Sequence, residues 1–490
     1  MSKISIIGSG FSGLSAAAVL AEAGHQVDVF EKNDTIGGRA RTFRQMGYTF
    51  DMGPSWYWMP DVFEKFFDRF DKNMEDYFDL IQLDPGFQII FDKDNTLQID
   101  AKWESICKLF ESIEKGSSDK LNKFMKEAEF KYDFGINKLV YEPGLSLLEL
   151  AKPEIFSNVF KLQMFTSYRK HVADHFSNPY LKSLLEFPVL FLGTAPSQTP
   201  ALYSLMTYSG IKQGTYYPMG GFGKVIDAFA DICKEKGVSF HTNENIEKIN
   251  VNNNIAESLS TNKRIFKSDV ILGSADYNHV DSQLLDKKYR NYSPNYWKKR
   301  TFSPSSLIFY LGINKKLDNL IHHNLFFDED IEKHTDEIYD KPVWPKKPLF
   351  YACCPSKTDS SLAPEGKENV FLLMPIAPGL EDSESIREHY FDIMIKRLEN
   401  YTGQEISQHI EYKRGYCIND FISDYNAYKG NAYGLANTLA QTANLKPKII
   451  NKKIKNLFYT GQLTVPGPGV PPSIISGQVV AKHIINSKLL

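Results

Sequence analysis

Residues 3–42 read KISIIGSGFSGLSAAAVLAEAGHQVDVFEKNDTIGGRART, and their pattern is that of a βαβ unit. The apolar run from Ile4 to Ile7 predicts a buried parallel strand, and Ser15 to Ala23 predicts the helix that follows. The run from Gln26 to Phe30 predicts a second strand. Strand, helix and strand in this order, joined by a glycine-rich turn, are typical of a domain that binds a dinucleotide.

Three glycines and one acid in this unit have the spacing of a dinucleotide-binding fingerprint. Gly8, Gly10 and Gly13 form the pattern G-x-G-x-x-G at the end of the first strand. Gly8 permits the tight turn, Gly10 lets the backbone approach a pyrophosphate, and Gly13 lets helix and strand pack closely. The helix N-terminus offers free N–H groups to the phosphates, and Glu31 can accept hydrogen bonds from a ribose diol.

A second turn, rich in glycine and arginine, follows this acid. It spans Gly37 to Thr42, and its Arg39 and Arg41 can offer planar, charge-assisted donors to a diphosphate or a carboxylate. A surface turn with two solvated arginines is the alternative. One βαβ unit holds only the adenosine half of a molecule as long as FAD, so an FAD protein needs further contacts from elsewhere in the chain.

A glycine-proline cluster near the other end of the sequence is suited to the flavin half. Asn456 to Gly461 predicts a short strand, Pro466 to Pro472 forms a stiff loop, and Ser473 to Ile485 predicts a helix. Backbone N–H groups at the start of a helix can face an electron-rich ring or a phosphate. We therefore expect the two ends of the chain to form one cofactor site.

Together these motifs resemble those of the bacterial phytoene-desaturase type of carotenoid desaturase, within the FAD-dependent amine-oxidase-like superfamily. The matching pieces are GSGFSG, EKNDTIGGRART, FDMGPS, YYPMGGFG and LFYTGQLTVPGPGVPP, and the similarity runs from Lys3 to about His483. The N-terminal motifs specify the cofactor, whereas YYPMGG together with the proline-rich motif points to carotenoid desaturases and isomerases. One departure is Gln462, where many members carry an acid toward the flavin ribityl chain; an amide can also hydrogen-bond a hydroxyl.

The resemblance implies which residues bind FAD. Those in the N-terminal half are Gly8, Gly10, Phe11, Ser12, Gly13, Glu31, Lys32, Gly38, Arg39, Ala40, Arg41, Gly53, Pro54 and Ser55. Those further along are Ile246, Ala275, Gly461, Gln462, Gly469, Val470 and Pro471. No catalytic base is identified.

The order of predicted elements indicates an α/β fold, with a Rossmann-like FAD-binding domain and a discontinuous α+β substrate domain. A helix opening at Gly220 and a strand from Val270 to Gly273 return the chain to the cofactor domain. Strands at Ser306 to Gly312 and Val370 to Ile376 belong to the substrate domain. The predicted FAD-binding domain comprises residues 1–90, 215–285 and 415–490, and the substrate domain, which faces the membrane, comprises 91–214 and 286–414.

Composition fits a large soluble or membrane-surface enzyme. The 490 residues allow two to four domains with a sizeable core. The 57 basic and 59 acidic residues give a net charge of −2, so no nucleic-acid partner is expected. The cysteines show neither a C-x-x-C pair nor metal-ligand spacing, which predicts reduced thiols and no metal site. The adjacent pair His322-His323 is expected on an exposed loop.

Two apolar stretches have more than one interpretation. The longest uncharged one, Phe187 to Ile211, is interrupted by prolines and is too polar for a membrane span. We expect it to line an apolar cavity, touch a bilayer or form ordinary core. Four phenylalanines between Trp56 and Phe70 recur at helical spacing and predict a core-facing stripe. The N-terminal apolar run is read as the strand of the βαβ unit, and not as a signal peptide, because glycines follow it at turn positions.

Desaturation of a carotenoid removes two hydrogens from a C–C bond that no carbonyl acidifies. Flavin N5 can take one as hydride, and adjacent double bonds delocalise the charge left behind. Such a reaction needs positioning in a dry apolar channel more than acid–base groups, which fits a sequence that is 13% aromatic and has no evident catalytic triad. The resemblance implies FAD as the bound redox cofactor and oxygen or a quinone as electron acceptor.

Three functions compete on this sequence. The first is desaturation of a C40 carotenoid, either phytoene or a later intermediate of the γ-carotene or hydroxylated type. The second is another FAD-dependent reaction on the same fold, by an amine oxidase or a carotenoid isomerase or saturase. The third is a lipid escort protein, which needs no flavin, so the complete fingerprint counts against it.

A carotenoid substrate dissolves in membranes, which predicts a cytoplasmic enzyme bound peripherally to the inner face of the cell membrane. The segment Ala151 to Phe176 interleaves apolar and basic residues. That pattern is typical of an interfacial helix, and also of an ordinary amphipathic helix packed on the core.

Overall fold

The computed structural model describes residues 1–146, 149, 158 and 161–487. The strands of the described chain are numbered here in chain order. Among them, five parallel strands form a sheet in the order β19-β13-β1-β2-β9. These strands are β1 (Lys3–Ile7), β2 (Gln26–Phe30), β9 (Ser239–His241), β13 (Val270–Gly273) and β19 (Leu457–Tyr459).

A second large sheet has mixed strand directions, and its strands alternate along the chain with those of the first. Seven described strands form it in the order β18-β14-β17-β16-β15-β6-β7. They are β6 (Phe87–Ile90), β7 (Thr96–Ile99), β14 (Ser305–Ile313), β15 (His323–Phe326), β16 (Phe350–Cys353), β17 (Glu368–Ile376) and β18 (Ile410–Tyr416). The smaller sheets of the described residues pair β3 (Thr42–Gln45) with β4 (Tyr48–Asp51), β5 (Leu80–Gln82) with β8 (Tyr216–Pro218), and β11 (Ile255–Ser260) with both β10 (Lys248–Asn252) and β12 (Ile265–Lys267).

Helices pack on the five-stranded sheet, and further helices are formed by the middle part of the sequence. Their bounds are Phe11–Glu22, Pro60–Asp68, Trp103–Ile113, Ser117–Phe134, Tyr168–Ala173, Pro179–Leu190, Ser204–Thr207, Phe222–Glu235, Tyr277–Ser282, Pro294–Lys298, Ile331–Tyr339, Glu384–Thr402, Ile418–Tyr425 and Val470–Ile485. This mixed architecture confirms the predicted α/β fold with a Rossmann-like sheet and a second layer. None of the helices in the described ranges combines the length and the apolar character that crossing a bilayer requires.

The helices at the two ends of the chain begin three or four residues earlier than predicted. The first begins at Phe11, and the amide N–H of Leu14 donates to the carbonyl of Gly10 at 3.0 Å. The last begins at Val470 and carries prolines in its first turn. Proline is tolerated there because the N–H groups of a first helical turn have no partner within the helix. Glycine and proline near the first residues of both helices therefore made the helices appear to begin later in the sequence than they do.

The aromatic stripe after Trp56 is core, as expected. Phe63, Phe66 and Phe67 lie on the helix Pro60–Asp68, Phe70 follows it, and all four are buried. The ring of Phe66 stacks on Phe229 with 4.0 Å between centroids. This contact holds the helix against the helix Phe222–Glu235, which covers the five-stranded sheet.

The prediction of an exposed loop for His322 and His323 is wrong. Their exposed fractions are 3% and 0%, and His323 begins β15, paired with Cys353 of β16. Its ring stacks on Trp56 with 4.0 Å between centroids. Polar residues next to each other in a sequence are usually exposed, but here the pairing of two central strands buries them.

The predicted domain division stays a proposal, and the sheets refine where its boundaries would fall. Strand β6 lies within the predicted FAD-binding range 1–90 but pairs in the seven-stranded sheet, as does the end of β18. A boundary drawn by sheet membership would therefore fall before residue 87 and after residue 416. Of the predicted interfacial segment, residues 151–157, 159 and 160 lie outside the described residues.

Candidate functional site

One cavity of about 770 Å³ receives residues from both large sheets. Its polar part is lined by the turn after β1 and the ends of β2 and β13. Its apolar part is lined by strands of the seven-stranded sheet and by helices of the middle of the chain. Ligands of open parallel sheets bind at the carboxyl ends of the strands, which is where the polar part lies.

The turn after β1 leaves open space in front of the first helix. Gly8 has a φ of +100°, which favours glycine in this tight turn. Gly10 has a φ of −72°, and a Cβ built on it would meet no heavy atom of the described residues within 4 Å. A Cβ on Gly13 would lie 2.3 Å from the carbonyl oxygen of Gly8, so this glycine serves close packing. The free N–H groups of the helix therefore face an open cradle suited to a phosphate.

Glu31 is held ready at the end of β2. Its Oε2 accepts hydrogen bonds from the N–H and the hydroxyl of Ser9 at 3.2 and 2.7 Å. Its Oε1 accepts from the N–H and the side chain of Asn33 at 3.0 and 2.9 Å. A carboxylate oxygen has lone pairs beyond those used here, and Glu31 lines the cavity. The carboxylate is thereby fixed in position to accept from a diol.

The two arginines of the second turn have different surroundings. Arg39 lines the cavity, donates to the carbonyl of Asn431 at 3.2 Å, and its Nε is buried without a partner among the described residues. Arg41 does not line the cavity and forms an ion pair with Asp424 at 2.7 Å. Both guanidinium groups lie over the ring of Tyr425. The Nε of Arg41 also lacks a partner among the described residues, but only Arg39 presents its free donors to the cavity.

The C-terminal motif also lines the polar part of the cavity, and a Cβ built on its Gly461 would lie 3.2 Å from the hydroxyl of Ser12. The hydroxyl of Ser476, on the helix Val470–Ile485, accepts from the N–H of Gly461 at 3.0 Å and lies 2.9 Å from the hydroxyl of Thr460. Gln462 donates from its Nε2 to Asn431 at 3.3 Å. These bonds fix the loop whose backbone lines the cavity next to β1.

The structure brings together the predicted cofactor residues. All of them line the cavity except Gly13 and Arg41, whose positions are described above. Sequence reasoning missed Asp276, which follows β13 as Glu31 follows β2, and whose position after a buried strand was the available signal. It also missed the cavity residues Glu244, Asp424 and Tyr425, which belong to no recognisable sequence motif.

Asp276, which is buried, and Arg39, which is half-buried, are opposite charges at the cavity wall. Burial raises the pKa of the Asp276 carboxyl, and Arg39 acts against this increase. Asp276 also accepts from the N–H groups of His279 and Tyr428, each at 3.3 Å. The pair keeps a polar, ordered wall next to the open cradle.

The residues present fit an FAD molecule. The space in front of Gly10 admits a pyrophosphate, the unpartnered Nε of Arg39 can donate to an anion, and Glu31 can accept from a ribose. The cavity then continues past Pro54 and Ser55 into the apolar part.

Aromatic rings dominate the apolar part. The ring of Phe191 lies 5.7 Å from Trp56 and 5.3 Å from Trp58 between centroids, and Phe187 lies 5.9 Å from Trp56. Several further members of the uncharged stretch Phe187 to Ile211 line the cavity as well. Of the interpretations offered for that stretch, the cavity lining is confirmed. Such a wall excludes water and suits a long hydrocarbon.

A buried amine lies beside the C-terminal loop. Lys446 is 3% exposed, and its Nζ has no hydrogen-bond partner among the described residues. A Cβ built on Gly467 would lie 3.2 Å from its Cε. Burial lowers the pKa of the Lys446 amine from 10.5 to about 7, because the interior disfavours the charged form.

We expect Lys446→Met to stabilise the protein at neutral pH by roughly 1–3 kcal/mol, since it removes a buried unpartnered polar group. Between pH 7 and 10.5 the unfolded chain holds a proton that the folded chain releases, so the stability of the native protein rises with pH in this window. Urea unfolding of both proteins across the window measures the difference. The advantage of the variant should shrink with increasing pH. Two outcomes would contradict a buried, unpartnered amine at Lys446. One is a stability difference that does not change with pH, and the other is an equal effect of Lys455→Met at an exposed position.

Comparisons with known proteins agree with this site. The family model described as flavin containing amine oxidoreductase matches residues 11–485. A carotenoid 3,4-desaturase of Haloarcula japonica is 37% identical over 98% of this chain and 98% of its own. A 4,4'-diapophytoene desaturase of Staphylococcus haemolyticus is 30% identical over 98% of both chains, and a zeta-carotene-forming phytoene desaturase of Myxococcus xanthus is 28% identical over 99% and 94%.

Solved structures share the fold at low sequence identity. An oxidoreductase from Methanosarcina mazei has a TM-score of 0.65 at 16% identity, covering 98% of this chain and 100% of its own. A putrescine oxidase bound to putrescine has a TM-score of 0.61 at 14% identity, covering 99% of both chains. At these identities the likeness concerns the fold.

Proposed function

Because this chain belongs to the family of flavin-containing amine oxidoreductases, we propose that its FAD serves the desaturation of a long carotenoid in the apolar part of the cavity. The protein is an FAD-dependent oxidoreductase of the carotenoid desaturase type. The observation that carries the proposal is the continuity of the cavity, from the phosphate cradle at Gly10 to the aromatic wall at Trp56 and Phe191. A small polar substrate would not need such a wall.

The residues of the chain would hold FAD, orient the polyene against it and exclude water from the reaction site. FAD, when bound, supplies an acceptor for hydride. Glu31, Arg39 and the N–H groups before Phe11 would hold its adenosine and pyrophosphate parts, and the loop around Gly461 and Gly469 would hold the rest. Trp56, Phe187 and Phe191 would align a polyene along the wall and exclude water, so that the charge left after hydride removal is shared by neighbouring double bonds.

Within this substrate class, we propose a partly desaturated carotenoid. The chain is more similar to a carotenoid 3,4-desaturase, at 37% identity, than to the phytoene or diapophytoene desaturases compared with it, at 28% and 30%. An end-group desaturase acts on a molecule that already has a long conjugated system. The greater similarity therefore favours a late intermediate of the γ-carotene or hydroxylated type over phytoene.

A paired substrate assay tests this proposal. Purified protein with FAD and liposomes receives phytoene in one reaction and a monocyclic γ-carotene-type compound in the other, and products are separated by chromatography. We expect only the coloured substrate to react, with a red shift for each added conjugated bond. Conversion of phytoene would instead make the protein an early desaturase. Products of unchanged oxidation state would indicate an isomerase, and amine turnover without carotenoid turnover would indicate an amine oxidase.

We further propose that the enzyme works in the cytoplasm, on the inner face of the cell membrane, and passes electrons to oxygen or a quinone. The reason is that a C40 hydrocarbon is held in the bilayer and has to enter an apolar cavity from there. We expect the protein to float with liposomes in a density gradient. Recovery of all protein in the soluble fraction, with neutral and with anionic lipid, would refute peripheral binding.

A further inference from the structure

A cluster of two imidazoles and one thiol is buried behind the wall of the cavity. One ligand atom from each of His322, His323 and Cys353 lies within 4.8 Å of the others. His323 and Cys353 face each other across the β15–β16 ladder, with 3.8 Å between Nδ1 and Sγ. The cluster is distinct from the cofactor part of the cavity, since none of its three members lines it.

Each imidazole is oriented through one ring nitrogen. Nδ1 of His322 lies 2.8 Å from the hydroxyl of Thr358, and Nδ1 of His323 lies 2.6 Å from the hydroxyl of Tyr351. The Nε2 atoms of both rings are buried and have no hydrogen-bond partner among the described residues. Histidines that bind metals are typically held in this way, by an oxygen on the ring nitrogen that does not ligate.

A third unpartnered polar group belongs to a residue beside the cluster. The hydroxyl of Tyr217 is buried without a partner among the described residues, and its ring lies 4.7 Å from that of His322. A buried polar atom without a partner is unfavourable by roughly 1–3 kcal/mol. Three such atoms in and beside the cluster are explained if a ligand binds there.

We propose that His322, His323 and Cys353 bind one divalent cation of the zinc class, with Tyr217 or a water as the fourth ligand. Two imidazole nitrogens and one thiolate are a ligand set that zinc prefers. On binding, the Cys353 thiol loses its proton to solvent and the Sγ–metal bond forms. The cation ties β15 to β16 directly behind Trp56. The absence of metal spacing in the sequence is no obstacle, because strand pairing, and not a local motif, assembles the ligands.

The first test is the metal content of the intact flavoprotein. Protein purified from zinc-supplemented cells, without a histidine tag, is expected to hold about one equivalent of zinc by mass spectrometry. After removal of the metal by a chelator, added Co²⁺ should give visible bands of tetrahedral cobalt and a thiolate-to-cobalt band in the near ultraviolet. Protein with less than about a tenth of an equivalent and no cobalt spectrum would overturn the proposal, and this measurement needs no variant.

Two cysteine variants localise the site. Cys353→Ser should lose the thiolate-to-cobalt band and raise the dissociation constant by about tenfold or more. Cys354→Ser is the matched control, since its Sγ lies near Ser356 and Glu368 at 3.7 and 3.4 Å and should leave the spectrum unchanged. Thr358→Val should keep the band but weaken binding about tenfold, as expected for a residue that only orients His322. A native cobalt spectrum in Cys353→Ser would place the metal elsewhere.

Discussion

Gly10→Leu is expected to give a folded, colourless protein that no longer binds FAD. A Cβ at this position meets no described heavy atom within 4 Å, and the φ of −72° suits any residue. The branched side chain would therefore enter the cradle before the helix Phe11–Glu22 and occupy the place of the pyrophosphate. We expect the affinity for FAD to fall by at least about a hundredfold, which corresponds to ~2.7 kcal/mol.

Isothermal titration of the apoprotein with FAD measures this loss, and urea unfolding measures the fold. Loss of glycine at the N-cap should lower the stability of the apoprotein by about 1 kcal/mol or less. Ala23→Leu, at the exposed end of the same helix, is the matched control and should bind FAD normally. Gly13→Ala should behave differently and lower stability itself, because its Cβ would lie 2.3 Å from the carbonyl of Gly8. A yellow Gly10→Leu protein would disprove the assigned site.

Gly477→Leu is expected to destabilise the protein and, as a consequence, to weaken FAD binding. Gly477 lies where the helix Val470–Ile485 touches the helix Phe11–Glu22, and its Cβ would be 2.3 Å from the carbonyl oxygen of Ser12 and 2.9 Å from the N–H nitrogen of Ala16. Backbone atoms cannot turn away as a side chain does, so the helices must separate. We expect a loss of about 3 kcal/mol or more in the free energy of unfolding, at the upper end for overpacked cores.

Unfolding in urea with and without FAD separates this effect from a direct one on the cofactor. Apoprotein stability should fall for Gly477→Leu but hardly for Gly10→Leu, and Gly477→Ala should show an intermediate loss. The exposed position Lys482 on the same helix provides a control, as Lys482→Leu. Equal stability of Gly477→Leu and the native apoprotein would mean that the two helices do not touch as described.

Those parts of the candidate site that depend on local backbone geometry could be predicted from the sequence. The roles predicted for Gly8, Gly10 and Glu31 depend on a turn, a close approach and a strand end, and each of these is encoded within a few residues. The first residues of the two terminal helices could not be predicted as well. Gly13 and Pro471 are poor helix formers in general, yet they are tolerated in a first turn. Local propensity describes an average over contexts, and the first turn is an exception to it.

Features made by long-range pairing could not be predicted. Tyr425 lies under both Arg39 and Arg41 although hundreds of positions separate them in the chain. His322 and His323 are buried because β16 covers them, which nothing near them in the sequence indicates. Arg41 was expected to meet a diphosphate or a carboxylate, and its carboxylate partner, Asp424, comes from a distant helix. Such partners are fixed by tertiary contacts and leave no local pattern.

The arrangement of the five-stranded sheet has a consequence for how the protein is made. Strand β1 lies between β13 and β2, and β19, from much further along the chain, pairs with the other edge of β13. During synthesis β1 can pair with β2 soon after both are made, but the outer edge of β13 stays unpaired until β19 has been made. Contacts between such distant segments close slowly, and exposed strand edges associate with other chains in the meantime. We expect folding in the cell to depend on chaperones that bind the incomplete sheet until the helix Val470–Ile485 has been synthesised.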